Sequence, residues 1–176
     1  MSLEEWIVDS LRSSTAQVFS TMLGMDAGHG TVSIEHDTPE ANDQVVSLIG
    51  LAGAWAGTGS LSCSPALACR LSAQMLMTEI EAVNEDVLDA MAELTNMIVG
   101  NVKTDLERRI GPLGLSIPTV VYGRNFKTRS PGSTDLIVMR FCCEGENLVA
   151  RMCLAQKEGP EYALAPPAAG MAVSPV

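Results

Sequence analysis

Runs of lysine and arginine are missing from this sequence, and the charge balance is the opposite of what a nucleic-acid binder needs. Eleven Lys and Arg face 21 Asp and Glu, a formal net charge of −10 with a pI near 4.5. Binding to a polyanion releases counterions against clustered cations, so nucleic acid and an anionic membrane surface are excluded as partners. Aromatics are also scarce, at 4% of residues, while there are ten Met. The core is therefore expected to be aliphatic and thioether-rich. No apolar run reaches about 18 residues, the length a membrane helix needs; the stretch 45–57 is the most apolar, and it is short and rich in Gly. The start Met-Ser-Leu-Glu-Glu-Trp lacks the basic opening of a secretory signal. The five cysteines, Cys63, Cys69, Cys142, Cys143 and Cys153, are odd in number and contain no C-x-x-C. They read as reduced thiols used as small hydrophobes, and the expected compartment is the cytoplasm. His29 and His36 are the only histidines and have no Cys or second His at ligand spacing, so no metal site is expected.

What is present is a globular composition, 47% hydrophobic and 18% charged, in a chain long enough for one domain. Leu3 to Leu23 repeats apolar residues at helical spacing and stops at Gly24. Thr31 to His36 alternates as a short strand. Pro39 to Asp43 is a turn. Gln44–Ala52 and Trp55–Cys63 read as a hairpin around a glycine-rich turn. Ser64-Pro65 is an N-cap followed by Pro at the first helical position, opening a helix to Met77 or Thr78. A long helix begins at Asn84 or Glu85 and runs to about Arg109, where Gly111-Pro112 ends it. Strands are expected at Pro118–Phe126, Asp135–Cys143 and Asn147–Ala155, with a turn at Lys127–Ser133 and a tight turn at Glu144-Gly145-Glu146. Residues 158–176 are rich in Pro, Ala and Gly without periodicity and read as a flexible tail after a single domain spanning 1–157. The pattern predicts an α+β, two-layer domain with long helices on one face of a mostly antiparallel sheet.

The long helix carries the chemistry. At about 100° per residue, Asp89, Glu93, Asn96, Gly100 and Lys103 fall within about 80° of one another, opposite Val87, Met91, Leu94, Ile98 and Val102. Asn and Gly are poor helix-interior residues, Gly by about 1 kcal/mol relative to Ala. Finding both on one polar line suggests that the line does something besides solvate the helix. The bland alternative is ordinary solvation of Asp89, Glu93 and Lys103. Asn101 lies off the line and reads as a structural hydrogen-bonding residue. Elsewhere, Gly53, Gly57 and Gly59 superficially resemble a nucleotide loop, but Gly-Lys-Ser/Thr is absent and a strand follows. They read as hairpin-turn glycines.

Residues 9–19 can be laid on residues 89–99: Asp9 matches Asp89, Thr15 matches Thr95, and Ser13 and Ala16 stand where Glu93 and Asn96 do. This suggests an internal duplication, a helix-plus-strands unit used twice, whose first copy carries no site.

The pattern Asp89, Glu93, Asn96, Gly100, Asn101, with Pro118 further on, resembles the CheC/CheX/FliY chemotaxis phosphatases. The single Glu-x-x-Asn copy is similar to the CheX branch. The resemblance implies an enzyme that hydrolyses the phosphoaspartate of a CheY-like response regulator. It implies that Asn96 orients the attacking water and that Glu93 docks on a partner lysine. Asp89, Gly100 and Lys103 would extend the docking surface. No cofactor is implied in this chain, and Mg²⁺ is expected on the partner. A homodimer is implied too, for which strands Asp135–Cys143 or Asn147–Ala155 are candidate edges. A non-catalytic adaptor using the same helix and a purely structural oligomeric domain remain alternatives.

Overall fold

A computed structural model describes residues 1–35, 43–124, 126 and 135–158. Three helices, α1 (Leu3–Val18), α2 (Pro65–Leu76) and α3 (Glu85–Ile110), lie with seven strands: β1 (Thr31–Glu35), β2 (Gln44–Gly53), β3 (Trp55–Cys63), β4 (Leu113–Leu115), β5 (Thr119–Gly123), β6 (Leu136–Cys143) and β7 (Glu146–Gln156). All the strand pairings are antiparallel, in the order β1-β6-β7-β3-β2, with β4 and β5 end to end on the outer side of β2. The α+β architecture expected from the sequence is the one observed. The sequence-predicted turns within 36–42 and 127–134, His36 and the tail beyond Glu158 lie outside the described residues.

The sheet has a pseudo-twofold plan. Exchanging β1 with β5, β2 with β6 and β3 with β7 returns the same order from the other edge. Each half contributes a helix, an outer strand and a hairpin, and each outer strand pairs with the other half's hairpin. The two helices match in detail. Exposure along Ile7–Ser20 repeats along Val87–Gly100, differing only at Gln17/Met97 and Ser20/Gly100. Thr15 and Thr95, both fully buried, each donate from the hydroxyl to the carbonyl four residues back, at 2.7 and 2.8 Å. A bond inside the helix satisfies a hydroxyl that burial would otherwise leave unpaired. The duplication read from residues 9–19 and 89–99 therefore extends to the topology.

Local chemistry accounts for the helix ends. Ser2 and Glu5 form a reciprocal capping box at the start of α1. Ser64 caps α2 through its hydroxyl, with Pro65 at the first position. Asn84 caps α3, with Glu85 and Asp86 in its first turn and Arg108 and Arg109 in its last, each sign at the favourable end of the dipole. Arg109 also reaches α1, donating 2.6 Å to the Met1 carbonyl and lying 5.4 Å from the Trp6 ring centre.

Several boundaries differ from the sequence reading. The first helix does not run regularly to Leu23: Phe19–Leu23 is a π-helical turn, closed by Gly24 at φ 62°. The wider turn sends Phe19 and Leu23 into the core and leaves Met22 outside. The strand expected at Pro118–Phe126 is shorter, and β4 precedes it. Asp135–Cys143 and Asn147–Ala155 are not edges: β6 lies between β1 and β7, and β7 between β6 and β3. Both of their ladders are already used, so among the described residues the edges are β1 and β4/β5. Gly57 and Gly59 are not turn residues but lie within β3, where there is no room for a side chain. A Cβ on Gly57 would stand 1.9 Å from the Cys153 carbonyl oxygen, and one on Gly59 would stand 2.8 Å from Val99 on α3. Glycine here permits close approach of strand to strand and of helix to sheet.

The cysteines pack as apolar groups. Cys63, Cys69, Cys143 and Cys153 are buried and Cys142 is exposed, as neighbours on opposite faces of a strand should be. Burial, reinforced by Cys143 and Glu146, pushes the Cys63 thiol up to about 12, and burial pushes Cys143 up to about 11. Since the thiolate is the nucleophile, iodoacetamide near pH 8 should label Cys142 alone in the folded protein; mass spectrometry of the peptides checks this. Among the described residues no helix is long and apolar enough to cross a membrane.

Candidate active site on the long helix

The back of α3 is fixed along nearly its whole length. Val87, Met91, Leu94, Ile98 and Val102 are all buried in the core, as the apolar stripe requires. Val99 closes over Gly59, filling the space a side chain there would take. On the flank, Ser10 of α1 donates 2.8 Å to Asp105. A helix held in this way presents its outer face rigidly.

That outer face divides into two parts. Asp89, Glu93 and Asn96 are exposed, and among the described residues no hydrogen bond or ion pair engages their side chains. Glu93 and Asn96 are one turn apart, so they point the same way with about 5–6 Å between their Cβ atoms. Gly100 and Lys103, further along the line, are half-buried and meet the β4 side of the sheet. Lys103 pairs with Glu107 at 2.9 Å, and Glu107 also accepts 2.9 Å from the Leu113 N–H at the start of β4. These two contacts, the Leu113 amide first, hold the Glu107 carboxyl below the usual carboxylate range. A Cβ on Gly100 would meet only Leu115, at 3.9 Å, which is ordinary contact. Nothing in the packing of the described residues therefore demands glycine at that position. Asn101 is half-buried beside the line.

The matching positions of α1 offer no such group. Ser13 turns its hydroxyl back to the Asp9 carbonyl at 2.8 Å, and Ala16 has only a methyl. Ser13 and Ala16 are nevertheless exposed, as Glu93 and Asn96 are. The two helices thus differ in side-chain chemistry and not in presentation. Among the described residues no three His, Cys, Asp or Glu side chains come together as a metal site.

One feature beside this face was not legible as part of it. The segment Ser116–Pro118 links β4 to β5, and Ile117 in it is 87% exposed. In the sequence it is the last of three alternating apolar residues, Leu113, Leu115 and Ile117, between a helix stop and a strand, and only the pairing of β4 with β2 brings this segment beside α3.

The family model for the chemotaxis phosphatase CheX matches residues 45–142, which run from within β2 to within β6 and take in all of α3. The CheY-P phosphatase CheX of Thermotoga maritima is 32% identical over 128 residues, covering 72% of this chain and 81% of that protein. This chain belongs to the CheX chemotaxis phosphatase family. Solved CheX-family structures share its architecture. A CheC-like superfamily protein from a Shewanella species is 26% identical and superposes with a TM-score of 0.77, over 88% of this chain and 99% of the other. The CheX of Borrelia burgdorferi, in a complex with CheY, BeF₃ and Mg²⁺, is 18% identical and has a TM-score of 0.68, over 84% of this chain and 97% of the other. The CheX match includes α3 and excludes α1, so the helix that carries Glu93 and Asn96 lies inside the segment that defines the family.

Proposed function

We propose that this chain dephosphorylates the phosphoaspartate of a CheY-like response regulator, with Glu93 and Asn96 as its active pair. The observation that carries the reading is the pair itself. A carboxylate and a carboxamide stand one turn apart, exposed and unengaged, on a helix whose back is locked into the core. The Thermotoga relative, a CheY-P phosphatase, supports the reaction class, and the Borrelia complex supports a CheY-type partner that brings Mg²⁺.

The chemistry asks little covalent work of this chain. Water attacks phosphorus in line, a new P–O bond forms, and the bond from phosphorus to the aspartyl oxygen breaks. The aspartate leaves as its carboxylate, and the proton from water passes to phosphate and solvent. An acyl phosphate has a good leaving group, so the barrier falls mainly through positioning and electrostatics. The Asn96 carboxamide suits positioning, since its oxygen accepts from the water and its N–H₂ donates toward the phosphoryl oxygens. An amide does not take up a proton at neutral pH, so Asn96 orients the nucleophile and does not act as a base. Glu93 suits docking, since its carboxylate pairs with the lysine beside the phosphoaspartate and sets the register of the two proteins. Asp89 and Gly100 border the pair, and Lys103 closes the line against β4. The partner supplies the phosphoaspartate and the Mg²⁺.

The test is release of inorganic phosphate from a phosphorylated CheY-family receiver domain, with wild type and Asn96→Ala compared. Turnover that survives the substitution in a folded protein overturns the reading. Binding without phosphate release by wild type assigns the helix to an adaptor.

A further inference from the structure

We propose that Ile117 is a docking residue for the same receiver domain, an apolar anchor at the rim of the polar line on α3; the inference rests on the reading of Glu93 and Asn96 above. Ile117 is among the most exposed large hydrophobic side chains in the described protein, at 87%. A lone exposed apolar residue needs no explanation on a loose loop, but this one sits on a clamped turn. The Ser116 N–H donates 2.9 Å to the Gly50 carbonyl, and the Gly50 N–H donates 2.8 Å back to the Ser116 hydroxyl. The same hydroxyl donates 3.0 Å to the Ile117 carbonyl. Pro118 follows, restricting Ile117 to extended backbone. Three hydrogen bonds and a proline therefore hold the isoleucine out in solvent, so little conformational freedom is lost when a partner covers it.

Its place decides the occupant. Leu115, two residues before it, is the nearest neighbour of Gly100, at 3.9 Å from a Cβ built there, and Gly100 is one turn from Asn96 on the same face. Chain geometry then puts Ile117 within about 20 Å of Asn96. A standard protein interface covers about 800 Å² per partner, a disc roughly 30 Å across. That span is shorter than the disc is wide, so a receiver domain seated on Glu93 and Asn96 with the pair off the centre of its footprint also covers Ile117. An apolar anchor beside a polar catalytic pair divides the labour: burial of the isoleucine in a pocket of the partner supplies affinity, and the pair supplies the chemistry.

The experiment uses the full chain and a CheY-family receiver domain that the wild type dephosphorylates. Ile117→Ser should raise KM about tenfold and leave kcat unchanged, and binding to the receiver domain activated with beryllofluoride and Mg²⁺ should weaken by the same factor. Circular dichroism verifies the fold, and Ile117→Ala, which keeps a methyl on the clamped turn, should fall between wild type and Ile117→Ser. Met77→Ser is the control: Met77 is 92% exposed at the C-terminus of α2, and its replacement should change neither constant. KM and binding within twofold of wild type for folded Ile117→Ser overturn the proposal, as does equal weakening by Met77→Ser. If Asn96→Ala loses turnover while Ile117→Ser binds normally, the anchor alone fails. If Asn96→Ala keeps turnover, the catalytic reading itself fails.

Discussion

Asn96→Ala should lower phosphate release from a phosphorylated CheY-like receiver domain by about a hundredfold or more, and it should not destabilise the fold. The size follows from the role. Loss of the group that aligns an attacking water costs on the order of 10², since small misplacements of a reacting atom carry penalties of that scale. The stability follows from the geometry. Asn96 is exposed, with no hydrogen bond among the described residues, so its removal breaks nothing in the core. Ala is the better helix former by roughly half a kcal/mol, and thermal unfolding should therefore rise slightly or hold. Opposite signs in the two readouts separate a functional residue from a structural one. A stabilised variant with full turnover would return the asparagine to ordinary surface.

The largest loss of stability should come from Gly57→Ala. A methyl there would lie 1.9 Å from the Cys153 carbonyl oxygen, 2.8 Å from its carbon and 3.0 Å from the Leu154 Cα. All three are backbone atoms, so no rotamer change relieves the clash, and the β3–β7 ladder at Gly57↔Leu154 has to open. That ladder joins the two halves of the sheet at its centre. A cost of about 3–5 kcal/mol is expected, at the top of the range for single substitutions, which lowers the melting temperature by roughly 10 °C in a chain of this size. Gly100→Ala should do the reverse. The nearest atom to its new Cβ is Leu115 at 3.9 Å, so the methyl fits, and removing a mid-helix glycine stabilises by about 1 kcal/mol. Denaturant unfolding of both variants checks the pair. If Gly100→Ala is more stable yet binds the receiver domain less well, glycine is kept there for the partner.

The faces of α3 could be read directly because helical periodicity is local. Val87, Met91, Leu94, Ile98 and Val102 lie within a few turns of one another, and their spacing alone separates them from Asp89, Glu93 and Asn96. Caps and stops were legible for the same reason: Ser64-Pro65, Asn84 and Gly111 act on their immediate neighbours. The π-turn at Phe19–Leu23 was not legible, because regular spacing continues through it and packing decides which residues turn inward.

Strand partners are a different kind of information. Hairpins β2–β3 and β6–β7 follow from short turns, but β1 with β6, β5 with β2 and β3 with β7 pair across long stretches of chain. No local pattern specifies which edge a strand takes, since any half-buried alternating strand can pair with any other. The exchange of outer strands between the two halves puts β6 and β7 inside the sheet and leaves β1 and β4/β5 at its edges. Long-range pairing also places Gly57 against Cys153 and Gly59 under Val99, and brings Leu115 beside Gly100. The sequence by itself determined the composition class, the helices and their caps, the duplicated helix and the polar line with Glu93 and Asn96. Only the tertiary structure decided the edges, the glycines that admit close backbone contact and the company the active face keeps, because those depend on contacts between residues far apart in the chain, where periodicity carries no signal.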